Sequence, residues 1–243
     1  MSVTMETPAA PEKANGLSTY LKVIYSPGEA FATLARVPTW GWAAIIGTVL
    51  AVVGALLVLP ASLHYQHIIQ EQQFSQMPAD QAAAARAIMA KVPKWVGPLS
   101  AVVVTPIVTW FFWELTALGF LIGAALGGGE ARHKMAWVAV VNAYIVVAIG
   151  SLAGGIILSL RGAESINSAA DLYALPSPVM FLHPASLKLG AFLYYAFNIA
   201  TIWYFFVAVI AMENMLKLSR TAAAVTMLVL VLGVSGLFAL FAR

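Results

Sequence analysis

The stretch Thr109 to Phe120, TWFFWELTALGF, sets a single carboxylate, Glu114, inside a run of apolar and aromatic residues. An ionised carboxylate without a partner costs several kcal/mol in a protein core and is comparably expensive in hydrocarbon. Two chemistries fit such a residue. Facing a wet cavity, it can bind a cation or exchange a proton during a transport cycle. Alternatively it is a glutamate hydrogen-bonded to Asn142, Tyr144 or Asn198 on neighbouring segments, where it fixes helix register. A second set is His64, His67 and Glu71, spaced i, i+3 and i+7, so that all three project from one face of a continuous helix. That spacing fits a divalent-metal surface, with His183 available from a later loop, although the glutamine-rich neighbours also fit a plain solvated helix end.

Two further strings carry less chemistry than their letters promise. Gly233-Val-Ser235-Gly236 matches the GxSG string around the serine of rhomboid-type intramembrane proteases. A serine nucleophile needs a general base within hydrogen-bond reach, and no histidine follows this serine in the chain, so helix contact is the better reading. Gly127-Gly-Gly129, with Arg132 and Lys134 nearby, lacks the Lys-Ser/Thr end of a phosphate-binding loop and the strand that precedes one, which predicts a tight turn between helices. No nucleophile and base pair or dense carboxylate cluster is spaced for catalysis, so the expectation is a protein that is not an enzyme and uses no cofactor.

These residues must be positioned by elements that composition already restricts. The 243 residues are 61% hydrophobic and only 9% charged, too little charge to coat a soluble globule, in which about a quarter of residues are charged. The composition therefore predicts an integral membrane protein with the lipid bilayer as its principal partner. The net charge of +3 comes from 13 scattered basic residues, without the polybasic block that would grip nucleic acid. With no cysteine, thiolate nucleophiles, disulfides and thiolate metal sites are excluded.

The chain reads as all-α, with five transmembrane helices and an interfacial amphipathic helix before them. Hydrophobic runs of about bilayer length place spans at about 40–59, 96–126, 135–160, 187–212 and 222–241. Residues 1–38 read as a cytosolic tail without the basic, apolar and cleavage regions of a signal peptide, and residues 39–243 as one membrane domain. Within the tail, Ser26-Pro27 starts an interfacial helix to about Val37, with Ala30, Phe31 and Leu34 on its apolar face. Trp40 and Trp42 mark entry at the headgroup level. The first span is expected to stop at Pro60. Gly150, Ser151, Gly154 and Gly155 are expected at helix contacts, Arg132, His133 and Lys134 at the headgroup level, and Trp110 to Trp113 in lipid-facing or interhelical packing. The two short turns are the denser in Lys and Arg, which by the positive-inside rule puts the N-terminus in the cytoplasm. The alanine-rich, cysteine-free composition fits a bacterial inner membrane.

The stretch Ser26-Pro-Gly-Glu-Ala-Phe31 leading to Pro38-Thr-Trp40, the order of the five spans, the turn Leu126-Gly-Gly-Gly129 and the basic turn Lys217-Leu-Ser-Arg220 together resemble the Yip family. These are small multi-pass proteins named for interacting with Ypt/Rab GTPases. The resemblance runs over nearly the whole chain from Tyr20. It implies a cytosolic N-terminus, an opposite C-terminus and a non-enzymatic role in organising membranes or trafficking through protein partners or self-association. It carries over no catalytic residue.

Overall fold

The computed structural model describes residues 15–242, so the expected tail before Asn15 lies outside the described residues. Those described fold into helices without a strand. In order they are α1 (Gly16–Tyr25), α2 (Pro27–Arg36), α3 (Gly41–Ser75), α4 (Ala79–Met89), α5 (Val96–Gly127), α6 (His133–Ala143), α7 (Ile145–Arg161), the single turn α8 (Val179–Leu182), α9 (Leu187–Phe197), α10 (Ile199–Met215) and α11 (Arg220–Phe241). Four helical units, α3, α5, α6 with α7, and α11, are long and apolar enough to cross a membrane. A fifth is counted if α9 and α10, bent by 45° at Asn198, form one crossing.

Small side chains determine how these helices meet. Along α3 the buried positions Ala44, Gly47, Ala51 and Gly54 recur every three or four residues and Ala61 follows two turns later, a stripe that lets α7 approach closely. A β-carbon on Gly54 would lie 2.5 Å from Ser151 Oγ, and one on Gly155 would lie 2.8 Å from Leu57 Cβ. Gly150 faces Ala200 of α10 in the same way. Three of the four expected contact residues of α7 thus do pack helices, while Gly154 has room beside it. The pair α5 and α11 repeats the device in antiparallel register. Gly119, Gly123 and Gly127, four apart, receive Leu230, Thr226 and Ala222, also four apart.

The structure departs from the sequence expectations in several places, each with a local cause. The helix holding the first span does not stop at Pro60 but continues to Ser75. Proline removes one backbone hydrogen bond, and the packing of α3 on α7 on both sides of the site holds the helix continuous. The fourth unit breaks at Asn198, whose extended backbone (φ −70, ψ 157) and side-chain oxygen cap α10, accepting from Thr201 N–H at 3.0 Å. The helix expected from Pro27 is present as α2, preceded by a further helix, α1, and the apolar faces of the two pack on the protein. Tyr20 and Val23 of α1, and Ala30, Phe31 and Leu34 of α2, are fully buried in the main core. These buried residues are covered by α10, α6 and α3.

The glycine register generates a test. Gly123→Leu, which meets Thr226, lowers the thermal stability of the detergent-solubilised protein by about 1–3 kcal/mol. Gly233→Ala, where an added β-carbon meets nothing within 4 Å, leaves stability unchanged or raises it by up to about 1 kcal/mol.

Candidate functional site

Glu114 is paired with His133. Its Oε1 lies 2.6 Å from His133 Nε2, and the two side chains are 43% and 54% exposed in the bare protein. The pairing follows from the antiparallel register of α5 and α6. Trp110 and Glu114 are four apart on α5, and Trp137 and His133 are four apart on α6. Residues so spaced share a helix face. The ring contact between Trp110 and Trp137, 6.0 Å between centroids, is therefore one rung, and the Glu114–His133 bond is the next. Trp40 and Trp113 complete the aromatic cluster, with centroids 6.2 Å from Trp137 in each case. Trp110 also donates to Thr48 Oγ1 at 3.0 Å, tying α5 to α3.

The turn before α6 makes this register possible. Gly128 ends α5 in the left-handed region (φ 75), and Gly129 N–H donates back to Ala124 O at 2.8 Å. A β-carbon on Gly129 would sit 2.5 Å from Leu216 O. Glu130 N–H donates to that same carbonyl at 2.7 Å, which fixes the strap to the α10–α11 turn. The tight turn expected of Gly127 to Gly129 is therefore found. His133 reaches back to a carboxylate 13 positions before the end of α5, about 20 Å along the helix.

The expected partners of Glu114 are occupied elsewhere. Asn142 donates to Thr39 O at 3.0 Å and Val138 O at 2.9 Å, locking the entry to α3 against α6. Asn198 caps α10 and donates to Thr201 Oγ1 at 2.9 Å. Tyr144 packs edge-on against Trp113, with centroids 5.1 Å apart. The metal face also fails to assemble. Glu71 holds Arg86 of α4 in a 2.8 Å ion pair, His183 Nδ1 lies against Phe181 O, and among the described residues no three His, Asp or Glu side chains gather where they could hold an ion. His64 and His67 remain on the part of α3 beyond Pro60. Ser235, of the GxSG string, is buried within α11.

At the opposite end, the loop after α7 is built on a capping box. Asp171 accepts from Asn167 N–H at 3.0 Å, Ser168 N–H at 2.8 Å and Ser168 Oγ at 2.9 Å. Partial desolvation by burial works to raise the Asp171 carboxyl, but these hydrogen bonds outweigh it and hold the group below its ordinary value. In the same loop, burial pushes the Tyr173 hydroxyl up to about 12.

The fold defines a helical bundle with the Glu114–His133 hydrogen bond between α5 and α6 and a capped loop after α7. Compared with known protein families, curated proteins and solved structures, the chain matches none of them.

Two outcomes test this geometry. A double-mutant cycle of Glu114→Ala and His133→Ala gives a coupling above the about 0.2–1 kcal/mol of pairs exposed to water, read from thermal unfolding in detergent. Because the Asp171 pKa is lowered in the fold, its contribution is present above the ordinary aspartate value of about 3.9 and is lost as pH falls through the folded value. A nitroxide on Glu164→Cys accordingly becomes mobile on acidification, and Asp171→Asn removes that pH dependence.

Proposed function

We propose that the protein is a multi-pass integral membrane protein of Yip type, crossing the bilayer with α3, α5, α6–α7, α9–α10 and α11. It acts without covalent chemistry, organising membrane or trafficking through helix packing and protein partners or self-association. The observation that carries membrane residence is the outward face of α5. Ile107, Phe111, Leu118, Ile122 and Leu126 stand exposed along it, a continuous apolar strip that water would penalise and lipid would not. The outward residues Val229 and Leu240 of α11 extend the strip.

We place the N-terminal helices on the cytoplasmic side of a bacterial inner membrane. Arg132 and Lys134 flank the start of α6, Lys217 and Arg220 the start of α11, and the Glu130–Leu216 hydrogen bond joins the two connections that precede these helices. The role in assembly draws support from the small extramembrane portions and from the Yip-like pattern of the sequence.

After alkaline carbonate washing the protein stays in the membrane pellet and is released by mild detergent; recovery in the wash contradicts membrane residence. Isolated in mild detergent from native membranes, it carries a stable partner or a second copy, and a protein that always purifies alone as a monomer contradicts the assembly role. The Glu114–His133 pair favours a second reading, a small transporter or channel for protons or cations. Proton or cation flux into liposomes that disappears in Glu114→Gln establishes it in place of the first, and absence of flux leaves the pair as a link between α5 and α6.

A further inference from the structure

A cavity of about 600 Å³ lies among α3, α7, α9, the end of α11 and the loop that follows α7. Its volume is that of a site for a small organic molecule, about 300–1,000 Å³. Gly150, Ser151 and Gly154 of α7 form one wall. The facing wall is aromatic: Tyr173 and Tyr194 are stacked with centroids 4.5 Å apart, and Tyr195 rests on Phe238 at 5.0 Å. From Gly150 to Leu158 the cavity follows α7 for about 12 Å.

Its polarity is uneven. The lining is mainly apolar, with tyrosine hydroxyls contributed by the loop and α9. Tyr194 Oη accepts from Leu175 N–H at 3.5 Å, which leaves its own proton to donate. The raised Tyr173 hydroxyl stays protonated at neutral pH and is likewise a donor. Neither hydroxyl carries a charge to attract an ion. The rim includes Phe241, which with its neighbour Leu240 is strongly exposed, so the mouth opens through an apolar surface. An occupant arriving by that route comes from lipid.

We propose that this cavity holds one hydrocarbon chain of a membrane lipid, whose ester carbonyl oxygen accepts a hydrogen bond from Tyr173 or Tyr194. The proposal rests on the membrane reading above and adds a ligand class to it. Gly154 supplies the means of testing it. A β-carbon there meets nothing nearer than Ala174 Cβ at 3.8 Å, so a longer side chain grows into the cavity, whereas at Gly150 or Gly155 it would strike Ala200 or Leu57.

The full chain is recovered from carbonate-washed membranes, so that membrane residence is judged first and separately. It is then reconstituted into phosphatidylcholine vesicles containing a phosphatidylcholine with a diazirine at the end of one acyl chain, irradiated, and mapped by peptide mass spectrometry. Label falls on the α7 and α9 residues that line the cavity. Gly154→Leu, and Gly154→Val as a smaller replacement, lower that label at least tenfold at an unchanged thermal midpoint, while Gly233→Leu on open helix surface does not. Tyr173→Phe combined with Tyr194→Phe lowers it several-fold. Wild-type protein without label in these peptides, or Gly154 variants that fold and label as wild type does, would overturn the proposal; label unaffected by the double tyrosine change would overturn its hydrogen-bonded end.

Discussion

Small side chains mark the closest contacts between the long helices while many large apolar ones cover their outer faces, and the rest of the structure depends on that distribution. The buried positions of α3 before Pro60 are all alanine or glycine, and Gly150, Gly154 and Gly155 are buried on α7, while Ile107, Phe111, Ile122, Val229 and Leu240 face out. In a water-soluble bundle so many large apolar side chains on the outer faces would be costly, because their burial is what drives folding in water. Where the surrounding medium is as apolar as leucine, helices gain instead from close approach, van der Waals contact and shared polar groups. Gly54 against Ser151 and Gly123 against Thr226 are the places where this gain is concentrated.

Close approach also determines what the few polar groups can do. With the helices this near, polar side chains find partners within the bundle: Asn198 stops one helix and starts another, Asn142 fastens the entry to α3, and Glu114 meets His133 one rung from the tryptophan cluster. Each satisfies a donor or acceptor that would be costly to leave unpaired away from water. Tyr20 Oη and Trp113 Nε1, both buried beside Gly47, have no hydrogen-bond partner among the described residues, and they mark where the core is least complete. The loop after α7 obeys the same rule. Its irregular backbone carries the buried Ile166 and Leu175 into the bundle, and the Asp171 capping box satisfies its turns.

Much of the scaffold was legible because hydrophobic length is a local property. The runs around α5, α6–α7 and α11 appear in the sequence within a few residues of their helices, and the glycine turn before Glu130 was readable from composition. Pairing is not local. Nothing near Glu114 in the chain named His133, although Trp110/Glu114 and His133/Trp137 both carry the four-residue spacing of a shared face. The stripe Gly119, Gly123, Gly127 was a readable packing signal as well, and it matches Ala222, Thr226 and Leu230 in reverse order. The burial of α1 was hidden because an amphipathic helix has the same pattern whether its apolar face meets lipid or protein.

The absence of cysteine in the chain allows the central claim to be measured directly. Single nitroxides attached to cysteines at Ile122, Val229 and Leu240, in protein reconstituted into bilayers, report collision rates with oxygen, which concentrates in hydrocarbon, and with a nickel chelate confined to water. The account predicts high oxygen and low nickel accessibility at all three, with Glu164 showing the opposite. High nickel accessibility at Ile122 and Val229 in the folded protein would contradict it.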